Sequence, residues 1–240
     1  MQWVCLAKRP LSLTELRFAM ASDWPNPLCR PHRLHYELEK SKEFVESDER
    51  METWVRTLSG GLVEVKHQKN KRMVQLIHQS VNDFLIQNGL HILSSNGSSV
   101  GQGHHRLSRC CINYTTLEDV RKMAQRGLIQ QLPFLEYAVT SWVWHAERAE
   151  SENISQNDLL VRLNWPSSHI LQCWIDTYRV INHGSYERPN EQTTLLHIAS
   201  RHGLLSAIKE LLLKKDINLD IRDSDGRTRY RGRQKTGTKG

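Results

Sequence analysis

The sequence has no apolar run that approaches the roughly 20 residues needed to span a bilayer. Its first twelve residues also lack the apolar core of a secretory signal peptide. The five cysteines form no Cys-x-x-Cys pair, and their odd number suits a reducing compartment better than a disulfide framework. These absences argue against a membrane-spanning or secreted protein, so we expect a cytoplasmic location.

Acidic residues are missing from residues 226–240, which carry six of the chain's net seven positive charges. The first 225 residues therefore carry only +1. Because phosphate contacts dominate affinity for nucleic acid, a nearly neutral body predicts at most nonspecific nucleic acid binding through this segment. We assign residues 229–240 as a basic, disordered tail.

The first region of the chain, residues 1–95, begins with two helical patterns. Ser12 and Glu15 form a capping box ahead of the first apolar stripe. Ser47 or Asp48 is predicted to cap the second helix, which Gly60 and Gly61 end. We expect four apolar residues on the inner face of this second helix: Met51, Trp54, Val55 and Leu58.

The period then changes from helical to alternating. The segments LVEVKH and RMVQLIH flank the polar turn QKNK, which predicts a β-hairpin. The next segment returns to helical spacing through Val81, Phe84 and Leu85, and we expect it to stop at Gly89. Helix, helix, hairpin and helix is the element order of a winged-helix domain.

A second region is separated from the first by residues 96–103, whose glycines and serines predict a flexible linker. Residues 104–190 are predicted to form a helical connector. Two capping boxes are expected there, at Thr115 with Glu118 and at Ser155 with Asp158.

Two tryptophans of the connector, Trp142 and Trp144, lie in its most apolar segment. They could line a groove for a partner protein. Aromatic residues at helical spacing are more often part of a core, so we expect them there.

The segment 191–228 has the spacing of one ankyrin repeat, T-P-L-H-x-A followed by a second helix. The pattern begins again at Thr228, 34 residues after the first threonine, and then fails in the tail. The motif positions are Thr194, Leu196, His197, Ala199, Gly203, Leu211 and Leu212.

In this order the blocks resemble fungal NACHT–ankyrin proteins, which are NLR-like signalling NTPases of the STAND class. The matching region follows the NACHT core and comprises a winged helix, a helical connector and ankyrin repeats. Its winged helix is often labelled after GPI inositol-deacylase, a label from which we infer neither lipase chemistry nor a membrane. The fold class implied is mainly α, with a small hairpin and a single truncated ankyrin repeat.

The resemblance implies a non-enzymatic fragment of a longer regulatory protein. The ankyrin surface would bind a protein ligand, the winged helix would relay the state of the protein, and the NACHT core would be a partner in the full-length chain. The sequence contains no G-x-x-x-x-G-K-[ST] loop, so we expect no nucleotide, metal or other cofactor on this chain. We expect such a loop upstream and further repeats downstream in the gene.

His78 occupies the hairpin-to-helix junction where STAND proteins carry a Met-His-Asp-like motif. The resemblance implies that its ring contacts nucleotide phosphates when a NACHT core is present, although Gln79 replaces the aspartate. The alternative is a histidine that bonds the local backbone.

Two other classes of function are alternatives. The first is a winged-helix protein that binds nucleic acid, but the candidate recognition helix at 48–58 has a net charge of −1, which repels phosphate. The second is an enzyme subunit, for which no catalytic constellation is found. The adjacent pairs His104, His105, Cys110 and Cys111 do not have the spacing of a structural zinc site, so they are interpreted as core and surface residues.

Overall fold

The computed structural model describes residues 1–24, 34–42, 44–93, 99–182 and 188–214. The described chain is mainly helical and contains a three-stranded antiparallel sheet, which confirms the predicted fold class of helices around a small hairpin. The basic tail and the second start of the repeat at Thr228 lie outside the described residues.

Short helices surround the sheet in the first part of the chain, and longer helices follow. The elements of the first part are α1 (Gln2–Leu6), β1 (Leu11–Ser12), α2 (Leu13–Ala21), α3 (His35–Glu39), α4 (Asp48–Leu58), β2 (Val63–Gln68), β3 (Lys71–Leu76), α5 (Gln79–Phe84), a π-helical turn (Leu85–Gly89) and α6 (Leu90–Leu93). Those of the second part are α7 (Val100–Thr115), α8 (Glu118–Gln125), a 3₁₀ turn (Ile129–Gln131), α9 (Leu135–Ser151), α10 (Leu159–Arg162), α11 (His169–Ile181), α12 (Leu195–His202) and α13 (Leu205–Leu212).

Helix α2 begins at the predicted capping box. The Glu15 N–H donates to the Ser12 hydroxyl at 3.2 Å, and the Ser12 N–H donates to the Glu15 carboxylate at 2.7 Å. Burial alone would raise the pKa of Glu15, but its ion pair with Arg9 and the Ser12 hydrogen bonds outweigh burial and lower it. The box therefore starts the helix and also holds a buried charge.

Helix α4 is capped by Ser47, whose hydroxyl accepts from the Arg50 N–H. Met51 and Val55 are buried as expected, but Trp54 is 40% and Leu58 is 62% exposed, so the predicted inner face was too wide. Trp54 lies on the flank of the row formed by the two buried residues, and Leu58 is the last residue of the helix. The packed stripe is therefore narrower and shorter than the apolar pattern.

The predicted hairpin is present as β2 and β3, joined by a tight turn. Lys69 and Asn70 both have positive φ, 43° and 63°, as expected for a two-residue turn that follows the twist of the strands. The sequence did not predict the third strand, β1, in which Leu11 pairs with Val74 and places β3 at the centre of the sheet. The short β1 thus ties the start of α2 to the hairpin.

The helix that follows the hairpin, α5, does not stop at Gly89, which corrects the prediction. It continues through the π-helical turn into α6. Leu85 is buried and Val81 is partly buried, but Phe84 is 57% exposed. The π turn follows Phe84 and rotates the residues after it relative to a regular α-helix, so that Leu85 and Leu90, five residues apart, are both buried.

The prediction of a flexible linker at 96–103 is wrong for residues 99–103, which cap and begin a helix. Residues 94–98 lie outside the described chain. Helix α7 begins at residue 100, with a capping box between Ser99 and Gln102. Its glycines permit close packing: a Cβ on Gly101 would lie 2.5 Å from the Glu152 Cβ, and one on Gly103 would lie 2.4 Å from the Leu6 Cδ1. Glycine here reflects contact between elements rather than flexibility.

Two other predicted caps were also wrong. Thr115 is the last residue of α7, and its hydroxyl donates to the Ile112 carbonyl, so α8 starts without a side-chain cap. Asp158 precedes α10 but makes no capping bond there, because its carboxylate pairs with two arginines described below.

The core is centred on α9, which packs along α7. Trp142 is only 1% exposed, which confirms its predicted place in the core, and Trp144 is partly buried. One continuous cluster of buried apolar residues extends from Leu11 in β1 through Trp142 to Leu211 in α13. The predicted winged helix, connector and repeat segment are therefore packed around a shared core.

Candidate functional site

The helix pair α12–α13 contains the predicted repeat motif, and its local geometry follows from that motif. The His197 N–H donates to the Thr194 hydroxyl at 3.4 Å, and the Thr194 N–H donates to Nδ1 of His197 at 3.2 Å. The histidine thus occupies the position that a glutamate has in an ordinary capping box. Gly203 ends α12 with a φ of 66°, a left-handed conformation that glycine adopts without strain.

Most apolar motif residues of the pair face the core. Leu196, Ala199 and Leu211 are buried, but Leu212 is 47% exposed. The motif spacing therefore separates an inner row from an outer one, and Leu212 belongs to the outer row.

Hydrogen bonds join the helix pair to α9 and to the segment after it. The Ser206 N–H donates to Glu150 at 2.8 Å, and the Ser206 hydroxyl donates to the same carboxylate at 2.5 Å. The Gln156 N–H donates to the Ser206 hydroxyl at 2.6 Å, and Nδ1 of His202 lies 3.4 Å from Glu147. No sequence signal pointed to these bonds, because their partners are separated by 50 residues or more along the chain.

The outer face of α13 carries an apolar stripe. Leu205 is 60%, Leu212 is 47% and the adjoining Leu213 is 76% exposed. These three positions and Lys209 have the spacing i, i+4, i+7 and i+8, so they lie on one side of the helix. We call these four residues the α13 stripe.

His78 lies at the hairpin-to-helix junction, as predicted, and its side chain is exposed. Its Nδ1 accepts from the Ser80 N–H at 3.1 Å and lies 2.8 Å from the Ser80 hydroxyl. The ring therefore caps α5, which is the local role considered as the alternative. A contact with nucleotide phosphate stays a prediction that requires a NACHT core.

The charged side chains of the candidate recognition helix α4 form ion pairs, both within the helix and with residues outside it. Arg50 pairs with Glu46 at 2.5 Å and Arg56 pairs with Glu52 at 2.9 Å. Arg72 from β3 reaches Glu49 at 2.8 Å. Each arginine already faces a carboxylate, so this helix offers phosphate a poor surface.

The four residues considered for zinc are mostly inside the protein. Burial raises the pKa of both Cys110 and Cys111 well above its usual value, so their thiols stay protonated. Burial, followed by the nearby arginines, lowers the pKa of His104 and of His105 to about 4, so both rings are neutral at pH 7. Within the described ranges, no three His, Cys, Asp or Glu side chains are arranged to hold a metal.

A buried ion network was missed by the sequence analysis. The Asp158 carboxylate accepts hydrogen bonds from Arg109 and from Arg162, whose side chains are each about 4% exposed. Arg162 also donates to the Asn113 side chain at 3.0 Å. Burial would raise the pKa of Asp158, but the two guanidinium groups outweigh it and lower the pKa.

Asn113 connects this network to the first region. Its amide donates to the backbone carbonyls of Ser22 and Trp24, at 2.8 and 3.0 Å. Arg109 with Asn113, and Asp158 with Arg162, are spaced i, i+4 within apolar segments. That spacing of polar residues is the signal that could have revealed the network.

Comparison with known proteins identifies one part of the chain. Residues 1–94 match the family model described as GPI inositol-deacylase, winged helix domain. Neither the curated proteins nor the solved structures contain a match to the chain. The match supports a winged-helix domain at residues 1–94 that is similar to the one of GPI inositol-deacylase. In the part of the chain that the structure describes, no helix has the length and apolar character to cross a membrane.

Proposed function

We propose that this chain is a non-enzymatic regulatory and recognition part of an NLR-like NACHT–ankyrin signalling protein. In this proposal the helix pair α12–α13 is an ankyrin unit that binds a protein ligand, and the winged helix relays the state of the protein. A NACHT core in the full-length chain would supply nucleotide binding. The location would be cytoplasmic.

The observation that carries the proposal is the α13 stripe on a helix pair that is fixed to the rest of the molecule. Repeats of this kind bury their outer faces against a neighbouring repeat or a bound protein. The stripe consists of three exposed leucines with one lysine between them, on one side of α13 and the residue that follows it. Such a stripe is suited to bind an apolar surface of another protein. The bonds from Ser206 to Glu150 hold that face in a defined orientation.

Nucleic acid binding is the alternative function, and the charges of α4 argue against it. The exposed lysines of the hairpin turn, Lys69 and Lys71, favour it only weakly, because a basic turn is commonly just solvated. We expect duplex DNA to be retained only through residues 227–240. Duplex binding that survives deletion of those residues and is lost in Arg50→Ala would favour the alternative.

Site-specific photo-cross-linking tests the proposed function. A photoreactive amino acid is placed at Leu205 in the stripe, and a matched control carries it at Val180 of α11, which is 50% exposed. In extract of the source cells, we expect one protein to be cross-linked from position 205 and not from position 180. The additional change Leu212→Lys should abolish that cross-link. Equal labelling from both positions would contradict the proposal.

A calorimetric measurement tests the expectation that this chain alone does not bind ATP. The chain lacks a phosphate-binding loop, and His78 alone offers a single contact. We therefore expect no heat of ATP binding at micromolar concentrations. Micromolar affinity would show that this part of the protein holds nucleotide without a NACHT core.

A further inference from the structure

Residues 1–9 begin the winged-helix domain and contact both β3, the π-helical turn and α6 of that domain and α7 and α9 of the connector. Helix α1 is only five residues long, so it is not stable alone and depends on what holds it. The Trp3 ring stands edge-on to Phe134 and to Tyr137, with centroids 5.6 and 6.0 Å apart. Leu6 occupies the space left by the missing side chain of Gly103.

Cys5 and Leu6 of this segment belong to a second, smaller cluster, while Trp3, Val4 and Ala7 pack against the main core. The cluster joins α1 to the π-helical turn and α6 of the winged helix and to α7 of the connector. Because it is small, the free energy needed to open it is lower than for the main core. Its buried members are Cys5, Leu6, Leu85, Leu90 and Leu107.

A chain of hydrogen bonds, partly buried at Lys8 and buried beyond it, fastens the other end of the segment. The Lys8 N–H donates to the Tyr137 hydroxyl at 2.9 Å, and that hydroxyl lies 2.9 Å from Nε2 of His145. Nδ1 of His145 lies 2.9 Å from Nδ1 of His104. One donor order that satisfies each bond runs from Lys8 to Tyr137, then to His145 and finally to His104.

Tyr137 is therefore the point at which the segment is attached to α9. The guanidinium of Arg9 also lies over its ring, at 5.3 Å from the centroid. Withdrawal of residues 1–9 would remove the Lys8 donor from the tyrosine and would uncover Leu85, Leu90 and Leu107.

We propose that residues 1–9 are a clasp that opens as one unit, with the Tyr137 hydroxyl as its latch. Opening uncovers an apolar surface that α6, the π-helical turn before it and α7 form together, while the main core and the helix pair α12–α13 stay folded. The regulatory meaning of this opening rests on the proposed function, in which the winged helix relays the state of the protein. The opening itself is a property of this chain alone.

Hydrogen exchange of the whole chain tests the clasp with the variant Tyr137→Phe, which keeps the ring and removes the hydroxyl. The change removes the hydroxyl's bonds to Lys8 and to His145, and loss of the Lys8 bond should accelerate exchange of residues 1–9 about tenfold. A smaller acceleration is expected at 85–93, and none at 195–212. The matched control is Thr140→Val. Among the described residues, the Thr140 hydroxyl forms hydrogen bonds with Glu136, Tyr137 and Ser141, which all belong to the same helix, α9.

A second variant makes the test independent of the tyrosine. Leu6→Ala removes the contact at Gly103 and should accelerate the same peptides. Unchanged exchange of residues 1–9 in both variants would overturn the clasp, and so would uniform acceleration of all helices. If these peptides respond as expected but no protein ligand is found on the helix pair, the clasp stands and the proposed function fails.

Discussion

In addition to the shared apolar core, two sets of hydrogen bonds connect the connector to its neighbours, and these sets differ in burial. We call the set with the winged helix the first joint and the set with the helix pair α12–α13 the second joint. At the first joint, Asn113 binds the carbonyls of Ser22 and Trp24 and accepts from Arg162, all in buried positions. At the second, Ser206 binds the partly exposed Glu150. Groups in a buried joint cannot replace their hydrogen bonds to each other by hydrogen bonds to water, whereas groups in a partly exposed joint can. We therefore expect the first joint to fail together with the whole fold and the second to open locally.

Removal of Asp158 should have the largest effect, because it would leave two buried guanidinium groups without a carboxylate. We expect Asp158→Ala to lower the free energy of unfolding by about 4 kcal/mol. The loss should appear in urea unfolding followed by tryptophan fluorescence. Glu118→Ala, which breaks the exposed pair with Lys122, is the control and should cost less than about 0.5 kcal/mol. An equally small effect of both changes would show that the first joint is not a buried one.

Ser206→Ala should have a smaller and more local effect. The hydroxyl donates to Glu150 and accepts from the Gln156 N–H, so the change should cost about 1.5 kcal/mol at the second joint. Hydrogen exchange should become faster at 195–212, with little change at 63–76. Faster exchange in the sheet as well would mean that the two joints open together, contrary to the comparison.

Mild acid should destabilise the fold through the hydrogen-bonded pair His104 and His145. His105, whose pKa burial also lowers to about 4, adds to this loss in the wild type and in a variant at His104 alike. Burial is the main cause that lowers the pKa of His104 to about 4 and that of His145 well below its usual value. Between pH 6.5 and 4 the unfolded chain therefore binds more protons than the folded one, so stability falls as the pH decreases.

The variant His104→Gln removes one of these two groups. The wild type should lose about 1 kcal/mol more than this variant between pH 7 and pH 5.5, as measured by urea midpoints. Parallel loss in both proteins would show that His104 is not the titrating group. His169→Gln, at an exposed histidine, is the control.

Local features of the fold could be predicted from the sequence, and features set by distant contacts could not. The Ser12–Glu15 box and the end of α12 at Gly203 depend on residues within a few positions of each other. Strand β1 was missed because two residues carry no pattern of their own and become a strand only against β3. Asp158 was assigned to a cap because its true partner, Arg109, lies 49 residues away in the sequence.

The candidate site shows the same division. The motif predicted the inner row of the helix pair and its turn, since both follow from spacing within one segment. The exposure of Leu212 depends on which face α9 and α10 cover, and the bonds of Ser206 depend on Glu150. His78 was placed correctly at its junction, but its bond to Ser80 could be seen only in three dimensions.

The affinity for the cross-linked protein ligand tests the central claim most directly, namely that the α13 stripe is the binding surface. The double variant Leu205→Asp with Leu212→Asp should weaken Kd about 100-fold, because two central apolar contacts are lost. Val180→Asp should change Kd by less than about threefold, since a surface residue outside the interface contributes little. Unaltered affinity of the stripe variant, with its fold intact by circular dichroism, would contradict the account.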